Sequence, residues 1–184
     1  MTVIAGIVHE GRVWIGADSA GSNSYEITAR ADAKLFTIGQ ALVGCCGSYR
    51  GLQVARYAFK PPELPSGMDP HEYMCTLFVD GLREVWRAAG HVGKTSEVEH
   101  VQTSLLVGMH GRLWTIGTDM QVGESLDSWD AIGSGGSMAL GSLHATAHVV
   151  GLRDQPEARV RLALQAACHH SPSCGGPLLV RCAP

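Results

Sequence analysis

The chain has 184 residues, 45% of them hydrophobic and 17% charged, with a formal net charge of −3. That content suits a single domain over residues 1–184 with a proper core, whereas two domains would leave two undersized ones. No run of like charges could clamp a phosphate backbone or an anionic surface, no leader-like segment opens the chain, and no stretch offers about 18 uninterrupted apolar residues, so neither nucleic acid nor a membrane is an expected partner and a cytoplasmic location is expected.

Residues 2–8 are apolar on both alternating faces, as are residues 13–17, and His9-Glu10-Gly11-Arg12 joins them as a hairpin of buried strands. A polar stretch through Gly21, Ser22, Asn23 and Ser24 follows. Residues 34–38 and 41–46 then flank Gly39-Gln40 as a second hairpin that ends at Gly47-Ser48. From Ser48 to Phe59 the pattern is helical, with Leu52, Ala55 and Tyr57 among small and charged residues, until Lys60-Pro61-Pro62 stops it. Asp69 can cap the next helix with Pro70 at its first position. Met74, Leu77, Phe78, Gly81, Leu82, Val85 and Trp86 recur there at helical intervals, a core face ending near Gly90.

After a polar linker, residues 103–109 and 112–117 flank the two-residue turn His110-Gly111. Trp129 to Ile132 reads as a short strand. Gly133-Ser134-Gly135-Gly136 leads into a small-residue helix from Ser137 to about Val150, a second helix runs from about Gln155 to His169, and Pro177 to Cys182 closes the chain as a strand. Strands and helices come in groups, which predicts a layered α+β sandwich and not βαβ alternation.

The six cysteines (Cys45, Cys46, Cys75, Cys168, Cys174, Cys182) form no CxxC pair and read as reduced core residues. The segment from Cys168 through His169 and His170 to Cys174 carries the ligand types that zinc prefers. Adjacent histidines rarely converge on one ion, however, and the spacing matches no structural zinc pattern, so zinc is not expected.

Taken singly, the polar candidates have ordinary readings: Thr2 opens an edge strand, Asp18 ends a strand in a turn, Lys34 opens another, Gly47 makes a turn, and Ser134 caps a helix. In sequence order, however, Thr2-Val-Ile-Ala-Gly-Ile-Val, Ile15-Gly-Ala-Asp-Ser, Lys34-Leu-Phe, Gly44-Cys-Cys-Gly and Ile132-Gly-Ser-Gly-Gly resemble the successive landmarks of proteasome β subunits and the bacterial HslV peptidase, which are N-terminal nucleophile (Ntn) hydrolases. Sixteen positions separate Thr2 from Asp18 and thirty-two separate it from Lys34, matching the family's nucleophile, aspartate and lysine without a gap.

The resemblance implies a four-layer αββα sandwich with Thr2 at one end of the cleft between the sheets. It implies a threonine endopeptidase in which Thr2, exposed by removal of Met1, attacks through its hydroxyl with its own α-amine as base. Lys34 would depress the pKa of that amine, ordinarily roughly 7.7 to 8.0, and Asp18 would balance and position the lysine. The Gly47 N–H would face the oxyanion, and Ser134 would help hold the amine and a water. Gly21, Asp32 and Cys45 would line the first specificity pocket, where a small Cys45 leaves depth and an ionised Asp32 would attract Lys or Arg; with Asp32 turned to solvent beside Arg30 instead, a neutral pocket would favour Leu or Phe.

One segment departs from the family's Asp-x-x-Ser-Gly-Gly pattern, because Ser171 and Cys174 stand where the aspartate and serine would. HslV-type chains also lack that aspartate, and by the same resemblance the carbonyls of Cys168, Ser171 and Cys174 would bind a structural monovalent cation; no catalytic cofactor is required. Implied partners are a peptide or unfolded-protein substrate, further copies of the chain in a homo-oligomeric ring, and an ATP-dependent unfoldase. Two alternatives use the same fold, a small-molecule amide hydrolase and an inactive assembly subunit. The intact Thr2, Asp18 and Lys34 set disfavours the inactive subunit, and a retained Met1 would favour it.

Overall fold

The computed structural model describes residues 2–22 and 25–184; Met1, whose removal the proposed chemistry needs, and Asn23 and Ser24 of the polar stretch lie outside the described residues. In chain order the strands are β1 (Ile4–His9), β2 (Arg12–Ala17), β3 (Ala20–Ser22), β4 (Ile27–Ala29), β5 (Leu35–Ile38), β6 (Ala41–Gly47), β7 (Val92–Thr95), β8 (Val98–Val101), β9 (Thr103–Met109), β10 (Arg112–Ile116), β11 (Val122–Glu124), β12 (Trp129–Ile132) and β13 (Leu179–Cys182). The helices are α1 (Tyr49–Tyr57), α2 (Pro70–Tyr73), a π-helical segment (Met74–Phe78), α3 (Val79–Ala88), α4 (Gly136–Ala147) and α5 (Pro156–His170).

Two antiparallel sheets dominate, ordered β12-β1-β2-β13 and β11-β10-β9-β6-β5. Because side chains alternate along a strand, β1 serves two interfaces at once. Val3, Ala5 and Ile7 pack on Leu143 of α4 and on Val160 and Leu164 of α5, whereas Ile4 packs with Ile15, Leu42, Leu106 and Leu113 between the sheets. On the far side of the second sheet, Phe36, Val43 and Val107 meet Leu52, Phe78, Leu82 and Trp86 of the other helices. Three apolar interfaces therefore separate four layers, αββα, as expected. The sheets approach so closely that a side chain at Gly44 would overlap Ile4.

The local chemistry of the caps and turns matches the residues. Ser48 accepts from the N–H groups of Arg50 and Gly51 to start α1, and Asp69 accepts from His71 and Glu72 with Pro70 first in α2. Glu10-Gly11 and His110-Gly111 all have positive φ, as two-residue hairpin turns require.

Several expectations need correction. Tyr57 is 72% exposed, and Val54 takes its place on the buried face of α1. The π-helical segment inserts an extra residue per turn, which turns Leu77 outward and brings Val79 into the core. The polar linker contains the β7–β8 hairpin, with Ser96 and Glu97 at positive φ in place of the Asn or Gly that signals such a turn. β3 and β4 pair as a small ribbon in the polar region before Lys34. All six cysteines are free, but Cys75 is exposed and not a core residue. No helix among the described residues is long and apolar enough to cross a membrane.

Candidate active site

Thr2 precedes β1 at the end of the sandwich where β2 runs out into Asp18 and where Lys34 precedes β5. All three are buried, at 4%, 1% and 3% exposure. The backbone N–H of Asp18 donates to Val3 O, and its side chain replaces the return bond: Oδ1 accepts from Val3 N at 3.0 Å and from Lys34 Nζ at 2.7 Å. Oδ2 accepts from the N–H groups of Ala20 and Gly175, both at 3.2 Å. Four donors thus compensate a carboxylate removed from water, and the ion pair bridges the ends of the two sheets.

Thr2 is held from the opposite side by the loop before α4. Its N–H donates to Ser134 Oγ at 3.2 Å, while its carbonyl accepts from Ser134 Oγ at 3.4 Å and from Gly135 N at 3.2 Å. Gly133 has φ +93°, and a Cβ there would run into the Thr2 carbonyl. Ser134 does not cap α4, which starts at Gly136 without a side-chain cap; its hydroxyl is spent on Thr2.

Gly47 ends β6 with φ +95°, and a side chain would overlap the backbone of Gln102. Ser48 N donates to Gln102 O on the β9 side and Cys45 N donates to Lys34 O on the β5 side. By the alternation of an antiparallel strand, Gly47 N–H points to the Cys45 side, beyond the start of β5 at Leu35, which is paired with Gly44. The N–H is therefore aimed past the end of the ladder, at the mouth of the cleft.

Thr2, Lys34, Cys45, Cys46, Gly47, Ser48, Tyr49 and Leu52 line that cleft. Two thiols beside a threonine raise the question of a cysteine nucleophile. Burial pushes the Cys45 thiol well above its ordinary range and raises Cys46 as well, so both are held as poorly nucleophilic thiols.

Of the residues expected around the first specificity pocket, only Cys45 lines the cleft. Gly21 lies behind Arg30 and Tyr49, whose atoms crowd the place of a Cβ at that position. Asp32 is engaged by Arg30 through two bonds, at 2.7 and 2.6 Å, and this pairing holds its carboxyl below the usual range. The Arg30 guanidinium in turn lies 3.9 Å from the Tyr49 ring centroid. The two-residue spacing of Arg30 and Asp32 was a usable signal for their pairing. Nothing local signals Tyr49, which owes its place to packing across distant segments.

The Ser171–Gly176 segment also reaches the site, since Gly175 N donates to Asp18 and Gly175 O accepts from Ser19 N at 3.0 Å. Ser171 O accepts from Cys174 N at 3.4 Å, and Ser171 Oγ accepts from Ser173 N and from the Cys174 thiol. These polar groups are paired among themselves. Among the described residues no three His, Cys, Asp or Glu side chains converge as a metal site, and His169 and His170 are exposed.

No family model matches the chain, and no curated protein matches it in sequence. Solved structures do. BPH from Thiobacillus denitrificans superposes with a TM-score of 0.83 at 20% identity over 98% of this chain and 96% of that one, and the same protein solved in complex with epoxomicin gives 0.80. HslV from Trypanosoma brucei gives 0.69 at 19% identity, covering 98% of both chains. Anbu, an ancestral β-subunit from Yersinia bercovieri, gives 0.65 at 16% identity over 99% of this chain and 81% of that one.

Proposed function

The chain has the fold of the proteasome-type Ntn hydrolases, and from that premise we propose that it is a threonine-type peptidase whose nucleophile is the hydroxyl of Thr2. The observation that carries this reading is the buried Lys34–Asp18 pair in the cleft that Thr2 lines. A buried ion pair is weak evidence for stability, so one held by three backbone donors beside a candidate nucleophile favours a chemical role.

With Met1 removed, the Thr2 α-amine takes the proton of its own hydroxyl as the oxygen bonds to the substrate carbonyl carbon. The carbonyl electron pair moves onto oxygen, toward the Gly47 N–H, where loss of such a donor typically costs about 3 kcal/mol. The ammonium so formed protonates the leaving nitrogen, the C–N bond breaks, and an ester to Thr2 remains. Water, deprotonated by the same amine, hydrolyses that ester. The Lys34 charge biases the amine toward its neutral form, and Ser134 orients it. In this reading the chain works as a homo-oligomer on peptide or unfolded-protein substrates. An ATP-dependent unfoldase would be needed only for folded ones.

The test begins with intact mass, which should be short by one methionine. Epoxomicin, present in the Thiobacillus denitrificans structure, should add to Thr2, because an epoxyketone needs both a hydroxyl and a free amine. Thr2→Ala should abolish peptide turnover with the fold intact, whereas iodoacetamide near neutral pH should leave turnover standing, given that Cys45 is buried, Cys46 half-buried and both thiols are held above their ordinary range. Undiminished activity in Thr2→Ala would remove threonine from the role.

A further inference from the structure

We propose that His91 is a positioning residue for the oxyanion donor: through Thr103 it holds the turn between β6 and α1 and so keeps the Gly47 N–H aimed into the cleft. The catalytic consequence rests on the Thr2 reading, while the clamp itself stands on packing alone.

Gly47 pairs with Thr103 at the end of the β6–β9 ladder, and Ser48 N donates to Gln102 O at 2.7 Å, so the backbone of the turn follows that of Gln102 and Thr103. Thr103 shares a strand face with Val101, Leu105 and Val107, which pack with Leu52, Leu82 and Trp86 of the helices. It is polar on that apolar face and completely buried. A buried hydroxyl needs a partner, and His91 supplies it, with Nε2 2.9 Å from Thr103 Oγ1.

His91 follows α3, and its N–H donates to Trp86 O at 2.8 Å. The end of α3 thereby brings two side chains to a single residue of α1. Trp86 Nε1 donates to Gly51 O at 3.1 Å, and the His91–Thr103 pair closes over the Gly51 Cα, where a Cβ would overlap both Thr103 Oγ1 and His91 Nε2. Gly51 N is in turn one of the two N–H groups capped by Ser48 Oγ, which places the clamp one residue from Gly47. Burial first, and the Arg50 charge second, hold the His91 pKa below its ordinary value. The ring is therefore neutral at neutral pH, and a neutral imidazole can pair with a hydroxyl in either direction. Neither His91 nor Thr103 lines the cleft with Thr2, so their influence on the reaction passes through the turn and not through contact with substrate.

The experiment reads peptide turnover and amide hydrogen exchange in the processed wild type and in His91→Ala, His91→Gln, Thr103→Val and Thr103→Ser, each well below its thermal midpoint. His91→Ala and Thr103→Val should lower kcat about ten- to a hundredfold with KM held within about threefold, the pattern of a transition-state donor moved out of line. His91→Gln, whose amide reaches about as far as Nε2, and Thr103→Ser, which keeps the hydroxyl, should recover most of kcat. Over residues 46–52, exchange should be about tenfold faster in His91→Ala and Thr103→Val and close to wild type in the other two. Wild-type kcat in either His91→Ala or Thr103→Val, a loss confined to KM, or no recovery in His91→Gln and Thr103→Ser overturns the proposal. Exchange indifferent to all four substitutions overturns it whatever the turnover. Exchange that follows the pair in a protein without wild-type turnover sustains the clamp while removing the peptidase reading.

Discussion

Lys34 and Asp18 are separated by sixteen positions and joined by a 2.7 Å bond in the interior, so their contributions to stability and to chemistry can be pulled apart. Lys34→Ala leaves a carboxylate buried without its cation, which should cost about 3–5 kcal/mol in urea denaturation. The double variant Lys34→Met with Asp18→Asn removes both charges at similar volume and should recover part of that loss, the remainder going to the asparagine NH2, which must face a backbone donor that a carboxylate oxygen satisfied. If the lysine's charge tunes the Thr2 amine, activity stays lost in both variants. A double variant that regains turnover along with stability would reduce the pair to scaffolding. Thr2, Asp18 and Lys34 were legible as a candidate set through the family resemblance, whose landmarks recur at the same intervals along this chain. The pairing of Arg30 with Tyr49 was not, since it depends on how the segment after the β3–β4 ribbon folds over the start of α1.

α4 and α5 carry the apolar layer behind β1, and one buried cation locks them together. Arg159 of α5 is 4% exposed, has no carboxylate partner among the described residues, and lies over the Trp129 ring at 5.2 Å. Its Nη2 donates to Leu143 O at 2.9 Å and its Nε to Thr146 Oγ1 at 3.2 Å, so a positive charge meets the carbonyl end of α4, the favourable pole of the helix dipole. Burial without a counter-charge holds its pKa below the ordinary value for arginine. Arg159→Met keeps the bulk and deletes both bonds, and is expected to cost about 1–3 kcal/mol, read as a lower denaturant midpoint at unchanged m. An unshifted midpoint would mean the charge and bonds only cancel. Helices, caps and two-residue hairpins were readable here because Ser48, Asp69-Pro70 and His110-Gly111 act locally. The β7–β8 hairpin turns at Ser96-Glu97 without a turn signature, and the π-helical segment is a one-residue insertion that leaves the apolar spacing superficially intact.

The outermost layer formed by α4 and α5 is where neighbouring copies are expected to meet. Met138 and Leu140 of α4 and Leu162 of α5 are each more than a third exposed, and at Gly141 a Cβ would touch nothing within 4 Å. In an isolated chain, replacing that glycine by leucine should therefore be tolerated and should even favour the helix by up to about 1 kcal/mol. In an assembly that uses α4 as a close-packing face, the same side chain would be forced into the neighbour. Closed rings need a contact of about 800 Å² on each partner, a modest part of the 9078 Å² the chain exposes. Light scattering at micromolar concentration is expected to give a multiple of 19.5 kDa for the wild type, and a lower mass for Gly141→Leu at equal or greater thermal stability. A wild-type monomer would end the ring proposal outright, while an assembled Gly141→Leu protein would move the contact away from α4 to the helices on the opposite face.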